Sequence, residues 1–482
     1  MLACIALFGC TPHRRDPHDP ALEVVIATEP ETLDPRFVVD AASMRVTRLV
    51  HAGLFRLDPD SLEPLDFVAA SHRFEDPLTL HVTLRDDVRF HSGAPVTARD
   101  VVATIEALKD PALHAREAHA VAAIARAEAI SEKEVRIVLA HPHATLLTDL
   151  EVPVLRADQA KAPAGTELDG LGPYRVARVR PGAIDLDPVD HSPLPKPAHP
   201  VHVRVVHDEN ARALRLIGGE TDVAPSGISP SLLPTFEGRG LRVVSRPGAN
   251  LVYVLFRDDQ GPFANADARK AFGLAIDRDA IVKYMLGGRA RLATGLLPPG
   301  HGASTPRPLQ SRDVAKAREM LHGTRVKCTL LGSTDRLRVS IARVVAQELA
   351  EVGIDAEVVP LELGTLLARL SAGDFDAAIL QIPELTEPNV LRVFLHSKWM
   401  PPNGANRARV DDAEVDAAID EGASTLDLSA RHAAYARLEE RVLDRAYWIP
   451  LWHEDQFAVT SARASSFSLS AEGRWLGLAS VP

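Results

Sequence analysis

The chain is predicted to be an α/β protein built as more than one lobe, and three observations carry that reading. Its 482 residues exceed what a single hydrophobic core holds. From Val326 onward, alternating apolar runs and helical apolar stripes follow one another in β-α-β-α-β order, the signature of a parallel-rich sheet with right-handed crossovers. Residues 79–108 read as strand, turn and capped helix.

Taken in order, Glu23 to Ala27 forms a short apolar strand, and Met44, Val46, Leu49 and Val50 give Ser43 to Leu54 helical spacing. Thr79 to Leu84 alternates, with Leu80, Val82 and Leu84 on one face. Gly93 and Pro95 break the chain; Thr97, three residues before Asp100, has capping-box spacing, and Val101, Val102, Ile105 and Leu108 supply the stripe that follows. Glu134–Leu139 is the next strand. Gly170-Leu171-Gly172-Pro173 reads as a tight turn entering a strand. It is not a dinucleotide fingerprint, because the third glycine is missing and Pro173 interrupts any helix start. Val201–Val206, a helix over 209–218 and a strand after Gly219 make a β-α-β unit, followed by strands at Leu241–Val244 and Leu251–Phe256. Phe272 and Ile276 share a helical face, Asp277 caps the next helix, and Gly287-Gly288 ends it. Val326–Leu331 is a strand. Leu337, Ile341, Val344, Val345 and Leu349 stripe a helix ending at Gly353, and Ile354, Ala356 and Val358 alternate as the next strand. A short helix (364–371) precedes the strand Phe375–Ile382, residues 412–446 are mostly helical, and returning strands close the chain.

Hydrophobic residues at 46% and charged residues at 25% are ordinary for a soluble globular protein, and a net charge of −11 argues against a nucleic-acid binder. Cys4 and Cys10 lie in the leader. Cys328 stands alone in a strand, so the body carries no disulfide framework and Cys328 reads as a buried small hydrophobe. Residues 1–10 are too short to span a bilayer and read as the end of a signal peptide. Leu7-Phe8-Gly9-Cys10 resembles a lipobox, which would make Cys10 the lipidated residue, with the polar, Pro-rich stretch up to residue 21 as a tether. No other segment approaches the length of a transmembrane helix.

Several ordered motifs resemble the extracytoplasmic solute-binding proteins of the peptide/nickel class (family 5), which serve bacterial ABC importers. They are Glu29-Pro30-Glu31-Thr32-Leu33-Asp34-Pro35, His51-Ala52-Gly53-Leu54, Leu84 through Val101, Gly170 through Tyr174, Gly219-Glu220-Thr221-Asp222, Ala268 through Arg278, and Trp448 through Trp452. Asp87 and Ser92 depart from the family's glycine and aspartate in the Leu84–Val101 motif. The resemblance implies a periplasmic-binding-protein type II-like fold, two lobes joined by a hinge, with an extra inserted α+β domain. On this chain the first lobe would combine residues 22–45, 166–249 and 450–482, the insert would be 46–165, and the second lobe 250–449.

It further implies capture of a peptide or other small solute by hinge closure and delivery to an ABC permease driven by its ATPase. The protein would be an extracytoplasmic monomer, in the periplasm or cell envelope, held to the membrane by its lipid. The family's peptide pockets use an acidic group for the amine, a basic group for the carboxylate, and aromatic walls. Carried onto this chain, these give Glu387 in Glu387-Pro388-Asn389-Val390-Leu391, Glu384 beside it, the aromatics Trp399, Trp452 and Tyr253, and Arg257 and Arg392 as cations. For each, the competing reading is structural: a surface carboxylate, a packed ring or a surface ion pair.

Nineteen histidines invite a metal reading, but His141-Pro142-His143 and His114 to His119 have neither i,i+4 spacing nor a completing Cys, Asp or Glu, so no metal or other cofactor is expected. There is no His-Glu-x-x-His, Gly-x-Ser-x-Gly, P-loop or Cys-x-x-Cys, and no catalytic residue is assigned. The alternative on the same fold is an extracytoplasmic sensor or envelope interaction protein without a transport role.

Overall fold

In a computed structural model that describes residues 19–38, 40–305 and 307–482, three bodies are built around separate sheets. Cys4 and Cys10, in the stretch expected to be a leader, lie outside the described residues.

The first body holds a seven-stranded sheet in the order Arg242–Arg246, Gln456–Thr460, Val223–Ala224, Leu22–Ile26, Val201–Val205, Ala183–Pro188, Tyr174–Arg180. Leu22–Ile26 runs parallel to its neighbours Val201–Val205 and Val223–Ala224, and the other pairings are antiparallel. The second body holds six strands in the order Ala290–Leu292, Trp448–Glu454, Leu251–Phe256, Ala377–Ile382, Val326–Ser333, Ile354–Leu361. Val326–Ser333 is parallel to both Ile354–Leu361 and Ala377–Ile382, as the β-α-β-α-β order predicts. Leu251–Phe256 is apolar at every position because both its faces are covered: Val252, Val254 and Phe256 enter one core, and Leu251, Tyr253 and Leu255 the other.

Between them in sequence stands a four-stranded antiparallel sheet, Ala69–Asp76, Thr79–Leu84, Glu134–Leu139 and Ile124–Ala129, with its own core and a small hairpin at Phe55–Leu57 and Pro64–Asp66. Leu80, Val82 and Leu84 are buried as the alternation requires. The helix Ala98–Lys109 opens on the expected box, with the Thr97 backbone N–H donating to the Asp100 carboxylate at 2.8 Å. Gly172 has a steric reason: a Cβ there would lie 2.4 Å from the Leu49 carbonyl oxygen, where the strand entry presses on the end of the helix Ala41–Val50.

Two expected boundaries move. The cut after residue 45 falls inside the helix Ala41–Val50, whose Val46, Leu49 and Val50 pack into the first body's core. The cut at 450 falls inside the strand Trp448–Glu454, which pairs with Leu251–Phe256 and Ala290–Leu292 and so belongs to the second sheet up to Glu454. The chain therefore crosses between the lobes at residues 247–250 and at Asp455. The two crossings are laced: the Asn250 side chain donates to the Glu454 carbonyl at 2.7 Å and accepts from its N–H at 2.8 Å.

Candidate functional site

The loop that leaves the strand Ala377–Ile382 meets the hinge, where the Leu385 N–H donates to the Ala249 carbonyl at 2.7 Å. It carries Glu384 to a charged junction of all three bodies. Arg474, in the C-terminal part of the first lobe, donates to Glu384 of the second lobe at 2.9 Å and to both oxygens of Glu151 of the insert, and its Nε lies 3.2 Å from Glu472. Arg48, on the helix Ala41–Val50, adds a second guanidinium to Glu151 at 3.0 Å. Burial alone would raise the Glu151 carboxyl, but Arg474 and Arg48 outweigh it and hold its pKa at about 2. A cavity of about 160 Å³ opens beside this junction, between the helix Ala41–Val50 and the insert.

Along the same edge of the second lobe stands a basic group. Arg338 lies in the first turn of the helix Arg336–Val352, donates to both oxygens of Glu454 and reaches the Gln381 side chain at 3.1 Å. It faces the first lobe across a cavity of about 390 Å³ bordered by Ala27 and Gly227–Pro230, just past the carboxyl ends of the parallel strands Leu22–Ile26 and Val223–Ala224, and by Arg212 of the helix Glu209–Ile217. In open α/β sheets, ligands sit at such strand ends. Gln381 and Glu384 are three residues apart, so one short loop links the basic and acidic ends of the interlobe edge.

The sequence candidates divide. Glu384 is at the junction. Glu387 accepts from the Asn389 N–H at 3.1 Å and is paired with Arg431; burial pushes its carboxyl up against the pull of that guanidinium. Its charge is spent inside the second lobe. Arg392 pairs with Asp420 and borders a separate cavity of about 490 Å³ with His141 and His143. Trp399, on the turn Ser397–Trp399, is 36% exposed. Trp452 and Tyr253 are core residues: Trp452 is fully buried, its indole N–H donating to Glu454 at 3.2 Å, and Tyr253 stacks on Trp448 with centroids 4.1 Å apart. Neither ring is open to a solute, because the sheet that carries them is covered on both faces. Arg257 stands just past the end of Leu251–Phe256 remote from the hinge, bound to Asp259 at 2.7 Å and to the Gly373 carbonyl, so it pairs locally.

Sequence reasoning missed Arg338, Arg474, Arg48 and Glu151. Arg338 did carry a signal: a cation in a helix's first turn opposes the helix dipole and calls for a reason. Glu151, which opens the apolar run Val152-Pro153-Val154-Leu155, carried a weaker one, since a carboxylate entering such a run needs a partner. Arg474 carried none.

The chain resembles known proteins along its whole body. The description "Bacterial extracellular solute-binding proteins, family 5 Middle" matches residues 65–399. The glutathione-binding protein GsiB of Escherichia coli strain K12 is 27% identical over 499 residues, spanning 95% of this chain and 92% of that protein. GsiB of Salmonella typhimurium is 26% identical over 496 residues, with 95% and 92% covered. Among solved structures, NikA of Brucella suis in complex with Fe(III)-EDTA superposes with a TM-score of 0.87 at 23% identity, covering 95% of this chain and 99% of that one. DppA of Helicobacter pylori in complex with the peptide STSA gives 0.80 at 21% identity, covering 95% and 96%. These structural likenesses establish the two-lobe periplasmic-binding-protein type II-like fold. With the family match across most of the chain, the conclusion is that this protein belongs to the bacterial extracellular solute-binding proteins of family 5, the substrate-binding components of ABC importers.

Proposed function

We propose that the interlobe edge binds a peptide or peptide-like zwitterion, whose amine is received at Glu384 in exchange for Arg474 and whose carboxylate is received at Arg338 in exchange for Glu454. The observation that carries this reading is the placement of one cation and one anion at the two ends of the same lobe edge, both facing the first lobe. The peptide and glutathione relatives support a ligand of this class. Closure follows from differential binding: a solute touching both lobes favours the closed state, and shifting a population from 1:99 to 99:1 takes about 5.5 kcal/mol. No bond is broken in this cycle. The Cys328 thiol is buried, and burial pushes it up to about 12, far from a reactive thiolate. The protein acts as a monomer outside the cytoplasm, tethered through a lipid on Cys10, and hands its solute to a membrane permease.

The test is a thermal-shift screen of di- and tripeptides, glutathione, free amino acids, nickel chelates and sugars. The reading expects peptides or glutathione to raise the melting temperature by mass action and Glu384→Gln to reduce the rise at the same ligand concentration. A response confined to sugars or metal chelates overturns it.

A further inference from the structure

Glu117 of the insert borders the cavity of about 160 Å³ and has neither a hydrogen bond nor an ion pair among the described residues. The cavity's guanidiniums are otherwise engaged. Arg48 and Arg474 are held by Glu151, Glu384 and Glu472, and Arg56 lies over the Phe67 ring, donating to the Leu57 carbonyl at 3.3 Å. Asp149 stands on the same wall, bound to His143 at 2.6 Å and Thr145 at 2.8 Å. Burial pushes the Glu117 carboxyl upward; His119 and Arg48, on the same cavity wall, pull it back, and Glu384 and Asp149 add smaller pushes. A half-buried carboxylate with no bonded partner is unfavourable until a cation joins it.

The remaining walls suit an aliphatic stem: Met44, Phe55 and Phe67 line the same cavity. His51 lines it too. It is 4% exposed, its Nδ1 has no hydrogen-bond partner, and burial holds its pKa at about 3, so it meets a ligand as a neutral ring and adds no repelling charge. Cavities of roughly 150 Å³ admit a benzene-sized group, which is the scale of a lysine side chain.

We infer that this cavity is a specificity pocket for a second cationic centre, the side-chain ammonium or guanidinium of a basic residue in the solute, with Glu117 as its counter-ion and the apolar wall holding its stem. The inference rests on the peptide reading above and narrows it to basic peptides. Long cationic side chains bury their methylenes while keeping the charge paired, and this pocket provides both environments.

The test compares Gly-Lys with Gly-norleucine, the same stem without the charge, by titration calorimetry on the full chain and on Glu117→Gln. The expected result is Gly-Lys binding about ten- to a hundred-fold more tightly than Gly-norleucine, the worth of a charge-assisted contact. Glu117→Gln should erase that ratio and leave Gly-norleucine unchanged. It should also raise the melting temperature of the unliganded protein, because it removes a partly buried charge and breaks no hydrogen bond or ion pair among the described residues. Equal affinities in the wild type, or a ratio that survives Glu117→Gln, overturns the pocket while leaving the peptide reading intact. If neither dipeptide binds, the pocket is overturned, and the peptide reading is decided separately by the wider screen of peptides and glutathione.

Discussion

Arg474 and Glu384 are 90 residues apart in sequence and come from different lobes, yet their side chains meet at 2.9 Å. Because the same guanidinium also holds Glu151 of the insert, one buried side chain ties three bodies together. Replacing Arg474 with alanine leaves Glu151 and Glu472 as buried carboxylates with much of their compensation gone. Breaking a buried pair from one side costs about 3–5 kcal/mol, so Arg474→Ala should lower the urea midpoint by a corresponding amount. Adding Glu151→Gln should recover part of that loss.

Glu384 and Glu387 should separate cleanly. Glu384→Gln should weaken peptide binding about ten- to a hundred-fold with a smaller fall in the melting temperature, because Arg474 keeps Glu151 and Glu472. Glu387→Gln should instead destabilise the fold by roughly 3 kcal/mol, because it strands Arg431. Calorimetric titration and thermal unfolding of the two variants measure both effects.

Burial holds His51 at about 3 and His301 and His453 at about 4, against 6.5 unperturbed. Their folded values lie below the unfolded one, so their contribution to stability is complete above pH 6.5 and declines as pH falls toward those values. Glu117, Glu387 and Glu472, raised by burial, have the opposite sign and lose stability as pH rises. A single replacement isolates one of them. The melting temperature of His51→Gln should fall less than that of the wild type between about pH 7 and about pH 5, where each buried histidine is worth about 1.4 kcal/mol per pH unit.

The capped helix of the insert is scaffold. Thr97→Ala should cost about 1 kcal/mol of stability and leave solute affinity unchanged, which unfolding and titration of one preparation check together.

Features settled by neighbours in sequence were readable. The Thr97–Asp100 box and the Asp277 cap depend on contacts three residues away, and both are present. The parallel pairing of Val326–Ser333 followed from crossover order, and the family resemblance carried the two-lobe plan. What depended on distant partners was not readable. Trp452 and Tyr253 looked available as walls because nothing in their segments announces that strands and helices cover both faces of their sheet. Glu387 ranked above Glu384 through its match to the family's acidic position, and its neutralising partner, Arg431, sits on a helix 44 residues away where no local pattern shows it. The hinge lacing between Asn250 and Glu454 spans 204 residues, and no local pattern marks it.

The central claim is that solute is held between two lobes that close on it. Spin labels at Leu214→Cys on the first lobe and Tyr284→Cys on the second, both exposed side chains, with Cys4 and Cys10 replaced by serine, report the interlobe distance by pulsed electron resonance. With the peptide giving the largest rise in melting temperature, the distribution should collapse to one short distance, and it should not do so in Glu384→Gln. An unchanged distribution in wild-type protein saturated with that peptide would contradict the account.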